Sequence, residues 1–316
     1  MKTFLLRFLL FIPVATTTVF FFVGATGVFF PGGYNNTIMN KMGDVGHLFT
    51  RLKEADTARP VDILVIGSSH AYRGVDPRIF ATHGIRLFNL GSSAQTPIQT
   101  EVLLKRYFDR LKPKVVVVEV FPGVFCLDGV ESGVDLISNS GVRPDLLPMT
   151  LRLNNLITYN SLSYNWCRKI LIGDRFREPV CKNGECYIEG GFVQRSDLEF
   201  FRGRRHVDSL YWTFRGEQQR AHQRTMAFLH KRRCPVVLVQ APVAQALFRS
   251  YRNNRVVDDF FRSSGFPYYN FNYSGMGANN HLFYDQDHLN MDGVAQFNGM
   301  LLKILTDRQF FRQEPL

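Results

Sequence analysis

The chain has 316 residues, which is enough to bury a substantial core and predicts one large domain with an appendage. Its 38 lysine and arginine residues exceed its 27 acidic residues, and the net charge of +11 suits an anionic membrane surface, an acidic polymer or nucleic acid. The sequence holds no zinc-ligand cluster, RNA-binding motif or arginine-rich helix, so we predict no nucleic-acid partner, no metal and no other cofactor.

An apolar segment near the N-terminus is long enough to cross a membrane. Residues 8–30 are 23 residues without a charge. At ~1.5 Å per residue a helix of that length covers roughly 34 Å, and the hydrocarbon core of a bilayer is about 30 Å thick. Lys2 and Arg7 precede the segment, which favours a cytoplasmic N-terminus at residues 1–7 and export of the remainder.

The competing interpretation of this segment is a cleaved signal peptide, for which the small residues around Gly24 and Ala25 make a poor cleavage site. The apolar run exceeds the usual h-region of about 7–15 residues, so we favour an uncleaved signal anchor. The sequence therefore predicts a single-pass membrane protein whose large domain is periplasmic or at the cell surface.

Residues 31–60 separate the apolar segment from the globular domain. Pro31, Gly32 and Gly33 end the apolar run, and the residues that follow are polar and mixed, with a short helix predicted around residues 45–53. We interpret residues 31–60 as a stalk or linker and residues 61–316 as the globular domain.

From residue 61 onward, strand and helix patterns alternate. Four consecutive aliphatic residues at 63–66, bounded by Gly67, are typical of a strand buried on both faces of a parallel sheet. Further strands are predicted at residues 85–90, 115–121, 235–240 and 268–271, and helices at residues 76–83, 97–111, 217–231, 255–264 and 294–305. The alternation predicts an α/β fold with three layers, α/β/α, around a parallel sheet.

The alternation is lost over about residues 126–216, a stretch too long for a plain loop, which predicts an inserted cap or subdomain. One helix is predicted within it, at residues 156–172. Several aromatic residues of the insertion either pack internally or line a sugar site: Tyr159, Tyr164, Trp166, Tyr187, Tyr211 and Trp212.

A hairpin in the insertion carries a compartment signal. Residues 183–184, Asn-Gly, are a strong two-residue turn signal, and a turn there places Cys181 opposite Cys186 and Lys182 opposite Glu185. Facing residues of a non-hydrogen-bonded pair have Cα atoms about 4.5 Å apart, which a disulfide accepts. We predict this disulfide, a cross-strand ion pair, and hence an oxidising compartment. A Cys-x4-Cys metal site is the alternative.

Two short stretches carry residues suited to catalysis. Gly67-Ser68-Ser69-His70 follows the first strand, at the carboxyl edge where open α/β sheets bind ligands. Either serine could instead only cap the next helix. Asp285 and His288 precede the last predicted helix and could complete a serine, histidine and aspartate set.

With these blocks the chain resembles the SGNH, or GDSL-like, hydrolase superfamily. Residues 67–69 stand where that family has Gly-Asp-Ser, so the resemblance makes Ser69 the nucleophile and Ser68 a departure. Asn89-Leu90-Gly91 matches the second block, whose glycine N–H serves the oxyanion hole in the family. The third block, Gly-x-Asn-Asp, is not visible, because Glu-Val-Phe-Pro-Gly follows the strand at residues 115–118. The resemblance spans residues 61 to about 305 and implies a flavodoxin-like hydrolase fold.

The resemblance also implies a role for each residue of the blocks. His288 takes the Ser69 proton as general base, Asp285 fixes the tautomer of His288, and Asp287 is the rival acid. The N–H groups of Ser69 and Gly91 hold the oxyanion.

Other polar residues at the strand ends are open to two interpretations. Asn89, Gln95 and Gln240 are candidates for the missing amide donor. His70 either contacts the substrate, as Ser68 could, or is a plain first-turn histidine, which we prefer. Glu119 either serves the site or is a solvated strand-end acid, and the second is at least as well supported.

The expected function is that of a membrane-anchored, extracytoplasmic serine hydrolase or O-acyltransferase. Its substrates would be O-acyl esters, acetyl above all, of cell-envelope carbohydrate, and envelope polysaccharide machinery would be a further partner. The alternative is a catalytically weak or inactive carbohydrate-binding or assembly subunit, which the missing third block favours.

Overall fold

A computed structural model describes residues 1–30, 37–173, 176–195, 200–203 and 209–307. Its helices are α1 (Lys2–Phe29), α2 (Leu48–Thr57), α3 (Ser69–Gly74), α4 (Pro77–Ala81), α5 (Pro97–Leu111), α6 (Pro122–Cys126), α7 (Val130–Ser140), α8 (Leu146–Leu153), α9 (Leu156–Leu171), α10 (Gly216–Lys231), α11 (Gln245–Ser250), α12 (Asn254–Arg262) and α13 (Met291–Asp307). Its strands are β1 (Ile63–Ile66), β2 (Leu87–Asn89), β3 (Val115–Glu119), β4 (Cys181–Lys182), β5 (Glu185–Ile188), β6 (Phe192–Arg195), β7 (Val236–Gln240) and β8 (Tyr268–Asn270). Three short 3-10 helices, Phe271–Tyr273, Met276–Ala278 and Asn280–Leu282, lie between β8 and α13.

Five parallel strands form the central sheet in the spatial order β2-β1-β3-β7-β8. Counted within this sheet, the order is second, first, third, fourth and fifth, which is the flavodoxin-like order. Ile63 aligns with Leu87 on one side and with Val115 on the other. The four valines of β3 are all buried, which explains why the strand appears in the sequence as an unbroken aliphatic run. The predicted parallel α/β sheet is confirmed.

Helices cover both faces of the sheet. Alternate side chains of a strand point to opposite faces. Leu64 and Val116 therefore face one side, where they pack with apolar residues of α2, α5, α10 and α12. Ile63 and Val65 face the other side and pack with α4 and α13. This confirms the predicted three-layer arrangement, and the predicted elements of the alternating pattern end within three residues of the observed ones.

Helix α2 replaces the expected stalk over residues 48–57. Leu48, Leu52 and Ala55 belong to the same buried cluster as the strands, and their spacing places them on one face of the helix. Arg51 is fully buried and its Nε donates to the Gly191 carbonyl at 3.0 Å. The short helix predicted around residues 45–53 is thus present at Leu48–Thr57, but its apolar face belongs to the core of the globular domain and not to a stalk.

Helix α1 begins at Lys2, earlier than the predicted span, and contains Pro13. By length and composition it is the one helix among the described ranges that could cross a membrane. Its C-terminal third packs against α9, with the ring of Phe20 edge-on to Trp166 at 5.9 Å. The predicted end of the span at residues 31–33 lies outside the described residues.

The insertion folds into helices α7 to α9 and the antiparallel sheet β4-β5-β6. Helices α7 and α8 pack beside α5, and the small sheet packs beside α3. Two aromatic residues considered for sugar binding pack internally instead. Trp166 contacts α1, and the Tyr187 hydroxyl donates to Glu54 Oε2 at 2.6 Å.

The predicted hairpin and its disulfide are both present. Cys181 and Cys186 face each other across β4 and β5 and are bonded, with Cα atoms 4.0 Å apart. Asn183 and Gly184 have φ values of 50° and 72°, as a type I′ turn requires. A disulfide of this kind is typical of an oxidising compartment.

The predicted ion pair across this hairpin does not form. Lys182 Nζ instead lies 2.7 Å from Glu178. Glu185 pairs with Arg73 and Arg195. Long side chains select the carboxylate or guanidinium with the best geometry, so facing positions on a hairpin do not determine the partner.

Candidate active site

Gly67 makes the turn that brings the candidate nucleophile to the carboxyl edge of the sheet. A Cβ on Gly67 would stand 2.6 Å from the Cβ of Glu119 on the neighbouring strand β3, so only glycine fits. Ser68 then caps α3, accepting from the His70 N–H at 3.3 Å, and Ser69 is the first residue of that helix. Ser69 therefore lies at the point between β1 and β3 where the strand order reverses, the usual ligand site of such sheets.

His288 connects Ser69 to Asp285 through hydrogen bonds. His288 Nε2 lies 2.8 Å from Ser69 Oγ, and His288 Nδ1 lies 2.9 Å from Asp285 Oδ2. Asp285 is fixed by the turn before α13, where its Oδ1 accepts from the N–H groups of Asp287 and His288 at 2.9 and 2.7 Å. Asp287 Oδ1 also approaches His288 Nδ1, at 3.2 Å. The arrangement has the geometry of a nucleophile, a base and an orienting acid.

The carboxylates control the charge on His288. Burial opposes that charge, but hydrogen bonds to Asp285 and Asp287 outweigh burial and raise the pKa of His288 to about 9. Burial likewise opposes ionisation of Asp285, yet the hydrogen bond to His288 holds the pKa of Asp285 well below its usual range. At neutral pH the pair is therefore an imidazolium beside a carboxylate, and the imidazole becomes a free base in alkaline solution.

A second hydrogen-bonded chain lies behind the nucleophile. Ser68 Oγ is 2.7 Å from Glu119 Oε2 and 3.1 Å from His70 Nδ1, and the Ser68 N–H donates to Glu119 Oε2 at 3.0 Å. Glu119 is only 5% exposed, so it is not the solvated strand-end acid considered from the sequence. Burial raises the pKa of Glu119 to about 7, against the hydrogen bonds from Ser68 that favour the carboxylate.

The direction of hydrogen bonding in this chain depends on the proton of Glu119, because the Ser68 hydroxyl has one proton to donate. An ionised Glu119 accepts from Ser68, which then accepts from His70 Nδ1–H. A protonated Glu119 donates to Ser68, which then donates to a bare His70 Nδ1, and the proton of the imidazole moves to Nε2.

His70 packs against His288, the candidate base. Its ring stacks on that of His288 with centroids 5.0 Å apart and 18° between planes. Burial, and then the charge of His288, lower the pKa of His70 to about 4, so His70 is neutral. Its Nε2 is buried and has no hydrogen-bond partner within the described ranges. The tautomer set by Glu119 and Ser68 therefore decides whether this buried nitrogen is a donor or an acceptor.

Three side chains at the site also have metal-ligating chemistry. His70, Asp287 and His288 offer ligand atoms that lie within 4.8 Å of one another. Both ring nitrogens of His288 are, however, engaged by Ser69 and Asp285. The rings of His70 and His288 are close to parallel and do not converge on one point. A metal bound through either nitrogen of His288 would therefore replace the hydrogen bond to Ser69 or the one to Asp285.

Gly91 and Asn89 lie directly beneath α3. The Gly91 N–H donates to Asn89 Oδ1 at 3.0 Å, and Asn89 Nδ2 donates to the Ala71 carbonyl at 2.7 Å. A Cβ on Gly91 would stand 2.9 Å from the Ser68 carbonyl oxygen, so glycine permits this close packing. The Gly91 N–H thus points to Asn89 in this structure. The Ser69 N–H, at the first helical position, has no intrahelical acceptor and is the better placed oxyanion donor.

The two glutamines considered as amide donors are engaged elsewhere. Gln240 Oε1 accepts from the Tyr268 hydroxyl at 2.8 Å, on the neighbouring strand β8. Gln95 accepts from Ser92 Oγ at 2.8 Å and donates to Thr100 Oγ1 at 2.9 Å. Neither amide group is directed to Ser69 by these bonds.

An aromatic cleft of about 610 Å³ lies near the triad. Its lining includes Trp212, Tyr251, Tyr211, Phe214 and Arg215. The ring of Trp212 stacks on Tyr251 at 3.4 Å and meets the ring of Phe121 at 5.7 Å. Phe121 in turn lies 4.2 Å from His70, so a continuous run of rings joins the cleft to the triad. Tyr211 and Trp212 were predicted from the sequence as sugar-site candidates, whereas nothing in the sequence pointed to Tyr251.

No protein-family model matches the chain, and no curated protein matches it in sequence. Among solved structures, the chain is similar to a proposed acylhydrolase of Bacteroides fragilis, with 11% identity, a TM-score of 0.41, and coverage of 84% of this chain and 97% of the other. It is also similar to a GDSL-like lipase of Bacteroides thetaiotaomicron, with 11% identity, a TM-score of 0.42, and coverage of 83% and 100%. Both TM-scores are below 0.5, and the function is therefore inferred from the geometry of the site.

Proposed function

We propose that the protein is a membrane-anchored, extracytoplasmic serine hydrolase or O-acyltransferase that acts on O-acyl esters of cell-envelope carbohydrate. The observation that carries the proposal is the hydrogen-bonded chain from Ser69 Oγ through His288 to Asp285, at 2.8 and 2.9 Å. These three side chains come from opposite ends of the sequence. Packing alone gives no reason for a half-buried serine to meet a half-buried imidazole that is oriented by a carboxylate.

In the proposed mechanism Ser69 Oγ attacks the ester carbonyl carbon while His288 Nε2 takes the hydroxyl proton. Asp285 accepts the Nδ1–H of the resulting imidazolium and stabilises its charge. The Ser69 N–H, at the N-terminus of α3, donates to the oxyanion. His288 then returns the proton to the leaving alkoxide, and an acyl group remains on Ser69. Water or a sugar hydroxyl, deprotonated by His288, releases the acyl group in the second half of the reaction.

Three features support the envelope location and the substrate class. Helix α1 carries no charge after Arg7, and the Cys181–Cys186 disulfide is of a kind formed outside the cytoplasm. The net charge of +11 favours an acidic polymer or an anionic surface. The rings of Trp212 and Tyr251 in the cleft provide flat apolar faces of the sort on which sugar rings stack.

The test is turnover of p-nitrophenyl acetate by the full chain in detergent, for wild type, Ser69→Ala and Ser68→Ala. Ser68 is the matched control, because it is the adjacent serine and its hydroxyl is bonded to Glu119 rather than to His288. We expect Ser69→Ala to reduce kcat by at least about 10³-fold. Ser68→Ala should reduce kcat far less, so that its turnover stays well above that of Ser69→Ala. Equal turnover by wild type and Ser69→Ala would overturn the proposal.

Hydrolysis and transfer share the triad and differ in the acceptor of the acyl group. Adding an oligosaccharide acceptor to the same assay distinguishes them. An acyltransferase would release p-nitrophenol faster and yield acylated sugar, whereas a hydrolase would yield free acetate at an unchanged rate. Absence of any Ser69-dependent turnover, with or without acceptor, would indicate the non-catalytic binding subunit instead.

A further inference from the structure

Helix α1 divides into an exposed part and a packed part. Large apolar side chains of its first two thirds are open, with Leu9 and Val14 both 65% exposed. Residues 23–28 are half-buried or buried, and Gly24 is buried. One face of the last third is therefore covered by the globular domain, while Phe22 and Phe29 on this part of the helix remain 68% and 66% exposed.

Helix α9 of the insertion packs against this part of α1. The Cys167 thiol lies 3.7 Å from the Phe21 carbonyl oxygen, and Ser163 donates to the Phe20 carbonyl. A Cβ on Gly24 would stand 2.6 Å from Cys167 Sγ, so glycine allows the two helices to touch.

The two helices run antiparallel. Gly27, later in α1, meets Tyr164, earlier in α9 than Cys167. The chain beyond α1 continues in the same direction, because the Met39 N–H donates to Ser161 Oγ at 3.1 Å. The C-terminal end of α9 therefore points toward the exposed part of α1.

The length of the exposed part matches a bilayer. Lys2 to Val19 is 18 residues, which as a helix at ~1.5 Å per residue is about 27 Å long, close to the ~30 Å of a hydrocarbon core. The long side chain of Arg7 can reach the headgroups on the cytoplasmic side. This placement puts the outer boundary of the apolar core near Phe20, where α9 begins to cover one face of α1, and leaves the exposed Phe22 and Phe29 in the headgroup region and beyond it.

At that level α9 presents an apolar end with basic neighbours. Ile170, Leu171 and Ile172 are 65%, 54% and 58% exposed. Arg168 and Lys169 are in the last turn of the helix. Aliphatic side chains beside cations are the composition of a segment that inserts its apolar residues among acyl chains and holds anionic headgroups.

We propose that residues 168–172, the α9 tip, insert into the headgroup region of the outer leaflet beside α1 and hold the catalytic domain directly against the membrane. This inference rests on the proposed anchoring by α1. The partner of the α9 tip is the lipid surface itself, because the contact between α1 and α9 holds the tip beside the membrane helix. The domain then has a fixed orientation toward the bilayer and no stalk between them.

The experiment places a fluorophore at three positions of the full chain in vesicles of phosphatidylethanolamine and phosphatidylglycerol. Leu171→Cys reports on the tip and Phe11→Cys on the anchor. Leu156→Cys is the matched control, because it is 62% exposed and lies at the other end of α9, about 22 Å away at ~1.5 Å per residue. A Cys126→Ser background removes the half-buried free thiol, and the remaining free thiols, Cys167 and Cys234, are buried. Each protein, with the introduced cysteine as its exposed thiol, is labelled with an environment-sensitive dye and then exposed to doxyl-labelled lipid or to aqueous iodide.

We expect the dyes at residues 11 and 171 to be quenched by doxyl lipid and protected from iodide, and the dye at residue 156 to behave in the opposite way. The proposal would be overturned if iodide quenched the dye at residue 171 as strongly as the dye at residue 156 while the dye at residue 11 stayed protected. That result would leave the anchoring by α1 intact. Lipid quenching at residue 156 as well would overturn the boundary at Phe20. Iodide quenching at residue 11 would contradict the anchoring itself.

Discussion

The proton on His288 determines when Ser69 can act as a nucleophile. Because the carboxylates raise the pKa of His288 to about 9, the imidazole is charged at neutral pH and cannot accept the serine proton. It becomes the base as the pH rises through that value. We therefore expect kcat/KM for a neutral ester to increase with pH up to about 9, measured on a Ser69-dependent turnover.

Asp285→Asn tests the physical cause of this profile. Without the carboxylate the pKa of His288 falls, so the rise in kcat/KM should move to lower pH while the maximum rate decreases, because the tautomer is no longer held. Asp287→Asn is the control, since Asp287 lies farther from His288 Nδ1, 3.2 against 2.9 Å. A profile unchanged in Asp285→Asn and shifted in Asp287→Asn would assign the orienting role to Asp287.

Glu119 gives a second pH-dependent property, the free energy of unfolding. Its pKa is raised from 4.5 in the unfolded chain to about 7 by burial, so the folded protein holds the proton more tightly. The resulting stabilisation is fully present below about pH 4.5 and is lost as the pH rises through about 7. In Glu119→Gln the side chain is neutral throughout and its amide oxygen can still accept from Ser68.

We expect wild type to lose on the order of 1–3 kcal/mol more unfolding free energy than Glu119→Gln between about pH 5 and about pH 8. Urea denaturation of both proteins in detergent measures this difference, with Glu189→Gln on the surface as control. Identical pH dependence in wild type and Glu119→Gln would mean that Glu119 is ionised in the folded protein at every pH measured.

The residues that the sequence analysis selected for the site come together where a short motif and a sheet edge coincide, and their catalytic roles stay predictions. Ser69, Asp285 and His288 were selected from their positions after the first strand and before the last helix, and the structure brings all three together. The burial of Glu119 could not be foreseen, because it depends on the absence of a side chain at Gly67 of the neighbouring strand. The engagement of the Gly91 N–H by Asn89 depends likewise on a local turn that the motif does not specify.

At the scale of elements, the main difference from the sequence analysis is that α2 packs in the core of the globular domain and is not part of a stalk. If its apolar face is part of the core, Leu52→Ala should cost about 2–5 kcal/mol of unfolding free energy. Thr57→Ala, on the exposed side of the same helix, should change it by about 0.5 kcal/mol or less. Denaturant unfolding of the full chain measures both, and equal small effects would restore the stalk interpretation.

The elements that the sequence predicted well are those buried on both faces. Strands β1, β3 and β7 are aliphatic throughout or up to a final polar residue, so their pattern leaves few alternatives. A short helix was predicted near α2, but its place in the core was not, because its three core residues are diluted by charged neighbours and follow a segment rich in turn residues. The hairpin turn was predicted from Asn183 and Gly184 alone, yet Lys182 pairs with Glu178, which precedes the hairpin, and donates to the Gly43 carbonyl, far away in the chain.

At the scale of the whole molecule, we propose one role for the parallel sheet and two roles for the insertion. The parallel sheet places Ser69 and Glu119 at one edge. The insertion contributes Trp212 to the cleft beside the triad and α9 to the packing of α1. The middle and the C-terminal part of the insertion thus connect the membrane helix with the site. We propose that the orientation of the domain on the bilayer and the approach of an envelope substrate are fixed together.

The most direct test of the central claim is covalent labelling of the full chain with a fluorophosphonate, followed by peptide mass mapping. The triad predicts a single phosphonylated residue, Ser69, with labelling retained in Ser68→Ala and strongly slowed in His288→Ala because the base is missing. An unlabelled Ser69 in a folded, correctly oxidised protein, or labelling that proceeds equally well without His288, would contradict the account.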